Sequence, residues 1–309
     1  MGQVTVLGLI GAALAGTAVG AAWPLPALGI GWVLLVVASA LVGPLWPAVS
    51  PLRLLPARSP RMPRTAAVIE RLGAWPSAGM LAGVAVLVHV GSPRPAGATA
   101  PLLMVLAALG GAATWWGLGL ARTEGVDPAA ALVAIPAALA PIGRSGGAWT
   151  LRSPVPALAH QVPRVGLRPL LAVVAGAGLA HVADPRVVAW VGDGPIVRAA
   201  VLATAIALAA AGMRLAAIRR FLDPSLMAAT AGWTLAHHAT LALSAAGAPR
   251  ALTAGVAIAA LLAGHLVAVA AGHRAALARF DLRASRAVQF PLRTVLAASA
   301  ATGAGLLAA

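Results

Sequence analysis

Apolar stretches of about twenty residues, the length a helix needs to cross a bilayer, run from one end of this chain to the other. Short gaps holding proline, glycine and arginine separate them. Nine stretches qualify: residues 3–23, 27–49, 76–92, 99–121, 168–190, 196–216, 225–246, 251–272 and 288–308. The pattern predicts an all-α fold, a polytopic integral membrane helix bundle forming one transmembrane domain over residues 1–309.

The gaps alternate in arginine. One set holds Arg53, Arg58, Arg61, Arg64 and Arg71, then Arg122, Arg144, Arg152, Arg164 and Arg168, then Arg214, Arg219 and Arg220, then Arg274, Arg279, Arg283, Arg286 and Arg293. The other set holds only Arg94, Arg186, Arg198 and Arg250. Eighteen against four predicts an amino terminus inside and a carboxy terminus outside. The two long inner loops, 50–76 and 122–168, are expected to be interfacial rather than separate domains. In the first, arginine, proline and apolar residues are interleaved between Trp46 and Trp75. In the second, Asp127-Pro128 predicts an N-cap with proline at the first helical position, opening a short interfacial or re-entrant helix broken at Pro136. Spacings such as Gly16-xxx-Gly20 and Gly79-xxx-Gly83 allow close helix packing. Residues 1–22 hold no basic run ahead of an apolar stretch, so no cleaved signal peptide is expected.

Composition agrees with the pattern. The 309 residues are 61% hydrophobic and 9% charged, with a mean hydropathy of +0.92. A soluble domain carries about 25% charged residues, so lipid is the expected solvent and the lipid bilayer the expected partner. The net charge of +15 does not point to nucleic acid, because the arginines are spread between spans; it suits an anionic inner leaflet. Cysteine is absent, which excludes disulfides, thiolate metal sites and Fe–S clusters. Lysine, asparagine and tyrosine are absent too, and the Ala/Gly/Val/Leu/Arg/Pro bias suggests a bacterial coding sequence and a multi-pass protein of the cytoplasmic membrane.

Polar groups inside spans are costly and so mark function. Here they are mainly His89, His181, His237, His238 and His265, with His273 at an inner helix end. Counted from Pro76, Arg168 and Ser225, His89, His181 and His238 each lie thirteen residues into their spans, about 20 Å along the axis. Three imidazoles at one depth could converge on a divalent transition metal such as Zn, Cu or Fe. Asp184, three residues after His181 on nearly the same face, is the candidate fourth ligand or catalytic base. Two other readings stand beside this one. The histidines can each bond a neighbouring carbonyl or hydroxyl as structural groups, or they can form a proton relay or substrate path. His265 lies deeper, and a bis-histidine haem between His238 and His265 fits less well. No H-E-x-x-H, Walker loop or G-x-S-x-G is present. The tryptophans read as interface belts and packing, and Glu70 and Glu124 as loop charges.

Several stretches carry a resemblance: Gly43-Pro44-Leu45-Trp46 followed by Ser50-Pro51-Leu52-Arg53, Glu70-Arg71-Leu72-Gly73-Ala74-Trp75-Pro76, Asp127-Pro128, Leu151-Arg152-Ser153-Pro154, Ala236-His237, Gly264-His265 and Gly272-His273-Arg274-Ala275. In this order, from about residue 40 onward, the chain resembles the polytopic membrane proteins of actinobacteria and some proteobacteria known as fenitrothion hydrolase. The resemblance implies a membrane hydrolase subunit acting on organophosphates, working with a second membrane subunit as a hetero-oligomer. It implies that His237, His265, His273 and Asp184 occupy recurring positions. The chain departs from the family pattern at His89, where members carry a carboxylate, and at His238, where they carry tyrosine. Three functions are therefore in view: a metal-dependent membrane hydrolase subunit with Asp184 as base, a non-enzymatic membrane subunit or small-solute carrier, and a haem-binding redox subunit.

Overall fold

A computed structural model describes residues 24–50, 71–91, 127–145, 148–159, 166–216 and 220–308. The expected spans 3–23 and 99–121, the loop residues 51–70 and the Gly16/Gly20 pair lie outside the described residues. Seven long or medium helices correspond to the other seven stretches. They are α1 (Pro24–Val42), α3 (Trp75–Gly91), α6 (Leu167–Val191), α7 (Pro195–Ala216), α8 (Asp223–Ala245), α9 (Arg250–Leu277) and α10 (Leu282–Ala308). The short helices are α2 (Trp46–Val49), α4 (Pro128–Ala137) and α5 (Pro154–Ala159).

By length and composition, four helices can cross a membrane: α6, α7, α9 and α10. The 23-residue α8 is long enough, but Asp223, His237 and His238 dilute its apolar character. Large apolar side chains point outward along these helices, among them Leu208 (61% exposed) and Leu266 (71%). Outward-facing apolar surface on this scale suits a lipid solvent. The described residues thus form a predominantly helical bundle in which four helices are long and apolar enough to cross a membrane.

Helix ends follow local chemistry. Gly43 takes φ +92° and Pro44 cannot continue a helix, so α1 stops seven residues short of the predicted 49. Asp281 accepts from Ala284 N at 2.8 Å, which starts α10 six residues before the predicted 288. The Asp127-Pro128 signal holds: the Asp127 carboxylate accepts from Ala129 N and Ala130 N at 2.9 and 3.0 Å. It also accepts from the Trp46 indole at 2.6 Å, tying α2 to α4. Burial pushes the Asp127 carboxyl above its ordinary value, against the pull of its hydrogen bonds. Helix α4 is mostly buried and packs against α1 and α8. After it comes an antiparallel hairpin, β1 (Ile142–Ser145) with β2 (Ala148–Leu151), which the hydrophobic pattern did not signal.

Among the described residues, the closest helix pair is α8 with α9. A Cβ added to Gly264 would lie 2.5 Å from Gly232 Cα, so the two backbones touch where both residues lack side chains. Gly79 and Gly83, by contrast, meet no neighbour within 4 Å among the described residues. One apolar cluster, with Leu171, Leu226, Leu292 and Leu296, holds α6, α8 and α10 together. Another, with Trp32, Leu81, Leu132 and Val173, joins α1, α3, α4 and α6.

Candidate functional site

His89, His181 and His237 lie fourteen residues past Trp75, Leu167 and Asp223, the first residues of α3, α6 and α8, about 21 Å along each axis. The structure brings this level together. The rings of His181 and His237 meet edge-on, centroids 4.5 Å apart at 87°. The His237 and His238 rings follow at 5.3 Å and 89°. On the other side, His89 Nε2 stands 3.6 Å from Asp184 Oδ1, both side chains largely buried. That is an ion-pair distance, too long for a direct hydrogen bond.

Three buried atoms here have no hydrogen-bond partner among the described residues: His89 Nε2, Asp184 Oδ1 and His237 Nδ1. Unsatisfied groups in an apolar interior cost several kcal/mol each, about 2–7 by transfer measurements, so their concentration in one place is informative. Pro185 adds another acceptor. It lies inside α6 and has no N–H, so the carbonyl of His181 loses its helical donor.

His89, His237 and His238 face a cavity of about 150 Å³ whose other walls include Trp32, Leu81 and Trp233. The volume suits a molecule the size of a benzene ring. Most of the lining is apolar, with the imidazoles as its main polar feature.

His238 and His265 behave differently from the other three. His238 Nδ1 donates to Thr234 O at 2.7 Å, and its Nε2 accepts from the Trp32 indole at 3.2 Å. His265 Nδ1 donates to Leu261 O at 2.8 Å, and its Nε2 meets the Ser299 hydroxyl at 3.1 Å; that hydroxyl accepts from the Trp233 indole at 3.0 Å. Both rings therefore spend both nitrogens, as structural histidines do, and a haem ligand at either would have to break such bonds. His265 is not among the residues gathered around the His181–His237 contact. His273 lies elsewhere again, its Nδ1 3.3 Å from Gln289 Oε1 between α9 and α10. Among the described residues, no set of three or more histidine, aspartate or glutamate side chains is placed to hold a metal ion. The imidazoles and the carboxylate meet in pairs.

The sequence pattern missed Arg198. It sits in the first turn of α7, buried, and clasps Asp193 with Nε to Oδ1 at 2.7 Å and Nη2 to Oδ2 at 3.0 Å. These bonds hold the Asp193 carboxyl below its ordinary value. Arg198 is also within electrostatic reach of His89 and Asp184. Its signal was present: an arginine in the arginine-poor set of gaps, five residues after an aspartate. Trp32 was missed as well, because a tryptophan inside a span is more often packing than a hydrogen-bond donor to a histidine.

No protein-family model matches the chain, and neither does any curated protein or solved structure.

Proposed function

We propose that this is a multi-pass protein of the bacterial cytoplasmic membrane, with nine spans and its amino terminus inside, whose bundle binds a small, largely apolar molecule carrying one hydrogen-bonding group. The observation that carries this reading is the 150 Å³ cavity bordered by His89 and His237, each with a buried nitrogen that has no partner among the described residues. The apolar walls supply affinity, and the imidazoles orient the polar group. The protein is then a binding or carrier subunit, with a second membrane subunit as its expected partner.

Binding of 4-fluorophenol and 4-fluorotoluene to the purified full chain, followed by fluorine NMR, tests the reading. The phenol should bind more tightly than the toluene, and His237→Ala should remove the difference. Equal binding of the two, or none, overturns it.

A second reading rests on the Asp184–His89 pair together with the resemblance to fenitrothion hydrolase. A carboxylate beside an imidazole can act as a base toward water, which gives a hydrolase subunit for phosphoester-type substrates. Turnover of a phosphotriester by the purified protein, lost in Asp184→Asn, supports it; a wild-type rate equal to buffer removes it. Zn, Cu and Fe analysis of the same preparation tests for a metal.

A further inference from the structure

Between the turn that joins α6 to α7 and the cavity lies a series of polar groups. Asp193 stands in that turn, exposed. Arg198 grips it and reaches electrostatically to Asp184 and His89. Asp184 and His89 face each other at 3.6 Å. One turn back on the same face of α6 is His181, whose electrostatic neighbours include His89 and Asp184. Its ring touches that of His237, and His237 opens onto the cavity. Four helices contribute: α3, α6, α7 and α8.

We propose that His89, Asp184, His181 and His237 form a proton path from the α6–α7 end of the bundle into the cavity. The inference rests on the reading of this cavity as a polar-ended binding site, and it adds what the buried acid and bases do there. Imidazole suits the task because a proton can arrive on one ring nitrogen while another leaves from the second. Each transfer moves only a proton, so no oxidant or reductant is involved. The 3.6 Å gap between His89 and Asp184 and the partnerless atoms His89 Nε2, Asp184 Oδ1 and His237 Nδ1 suit bridging water, which would complete the chain.

A purely structural set of histidines would look different, and this same bundle supplies the comparison. His238 and His265 have both nitrogens engaged by fixed partners. In the series from His89 to His237, the approaches are an ion-pair distance and a ring contact rather than closed hydrogen bonds.

The test is ring N–H exchange with solvent, read by proton–nitrogen NMR on the histidine-labelled full chain. The His237 ring N–H should exchange about tenfold or more faster than that of His265, which has no path. Asp184→Asn and His181→Phe should each slow His237 exchange by at least about tenfold and leave His265 unchanged. Asp184→Asn keeps shape and size, so it preserves the fold even if His181→Phe does not. If His237 exchanges as slowly as His265, or both variants leave its rate unaltered, the path does not exist. Fluorophenol binding on the same sample separates the two ideas: binding with slow exchange overturns the path alone, and fast path-dependent exchange without binding overturns the ligand reading alone.

Discussion

The Trp32 indole on α1 donates to Nε2 of His238 on α8 at 3.2 Å, and the opposite ring nitrogen donates to Thr234 O. One hydrogen bond thus connects two helices far apart in sequence and fixes the tautomer of a buried histidine at the cavity wall. Trp32→Phe keeps most of the ring volume and leaves Nε2 without a donor. It should lower stability by about 1–3 kcal/mol, read as a lower thermal midpoint in detergent. An unchanged midpoint would show that the bond does not form.

The α8–α9 seam makes a sharper forecast. Gly264→Ala would put a methyl group against Gly232 Cα and 2.8 Å from Ala228 O, backbone that cannot swing aside. A loss of about 1–3 kcal/mol or more is expected. Gly255→Ala, on the same helix, meets nothing within 4 Å among the described residues and should be neutral or slightly stabilising. Equal midpoints for the two variants would contradict the packing.

Asp127 serves as cap of α4 and acceptor for Trp46. Asp127→Ala should cost about 0.5–2 kcal/mol for the cap, and more for the stranded indole. Asp127→Asn keeps an acceptor oxygen and should recover a good part of that. Because burial raises this carboxyl in the folded protein, its contribution favours the fold most at low pH. It falls as pH rises from the ordinary value of 3.8 toward the raised one. Removing the carboxyl in Asp127→Asn should flatten that part of the stability profile.

Asp193 has the opposite sign. Its carboxyl is depressed by Arg198, so the stabilisation is present above pH 3.8 and is lost as pH falls through the depressed value. Asp193→Asn should therefore lie below wild type at neutral pH and converge with it in strong acid. The difference should be small, since the carboxylate is exposed and screened. Thermal midpoints across the acid range check both the sign and the convergence.

Much of the bundle was legible because apolar length and punctuation are local signals. Six of the seven described long helices begin within three residues of the predicted spans, and α10 begins six early because its Asp281 cap lies outside the apolar run. The shared depth of the histidines was also legible, since rise per residue is fixed. The ring that meets His181 is nevertheless that of His237, since α8 starts at Asp223 rather than Ser225. Which imidazoles stay unbonded could not be read from spacing. That depends on Trp32, Thr234 and Ser299 arriving from other helices or from other turns, and on a proline withdrawing one N–H. The α4–hairpin region was legible only at its Asp127-Pro128 start, since two four-residue strands carry too little alternation to stand out.

The central claim is that His181 and His237 meet inside the bundle while His265 stays apart. Through-space NMR between histidine ring protons tests it directly, in full-length protein labelled only at histidine and assigned by single substitutions. A cross-peak between His181 and His237 is expected, lost in His181→Phe, with no cross-peak from His265 to either ring. A spectrum in which His181 and His237 show no contact, or in which His265 joins them, would contradict the site.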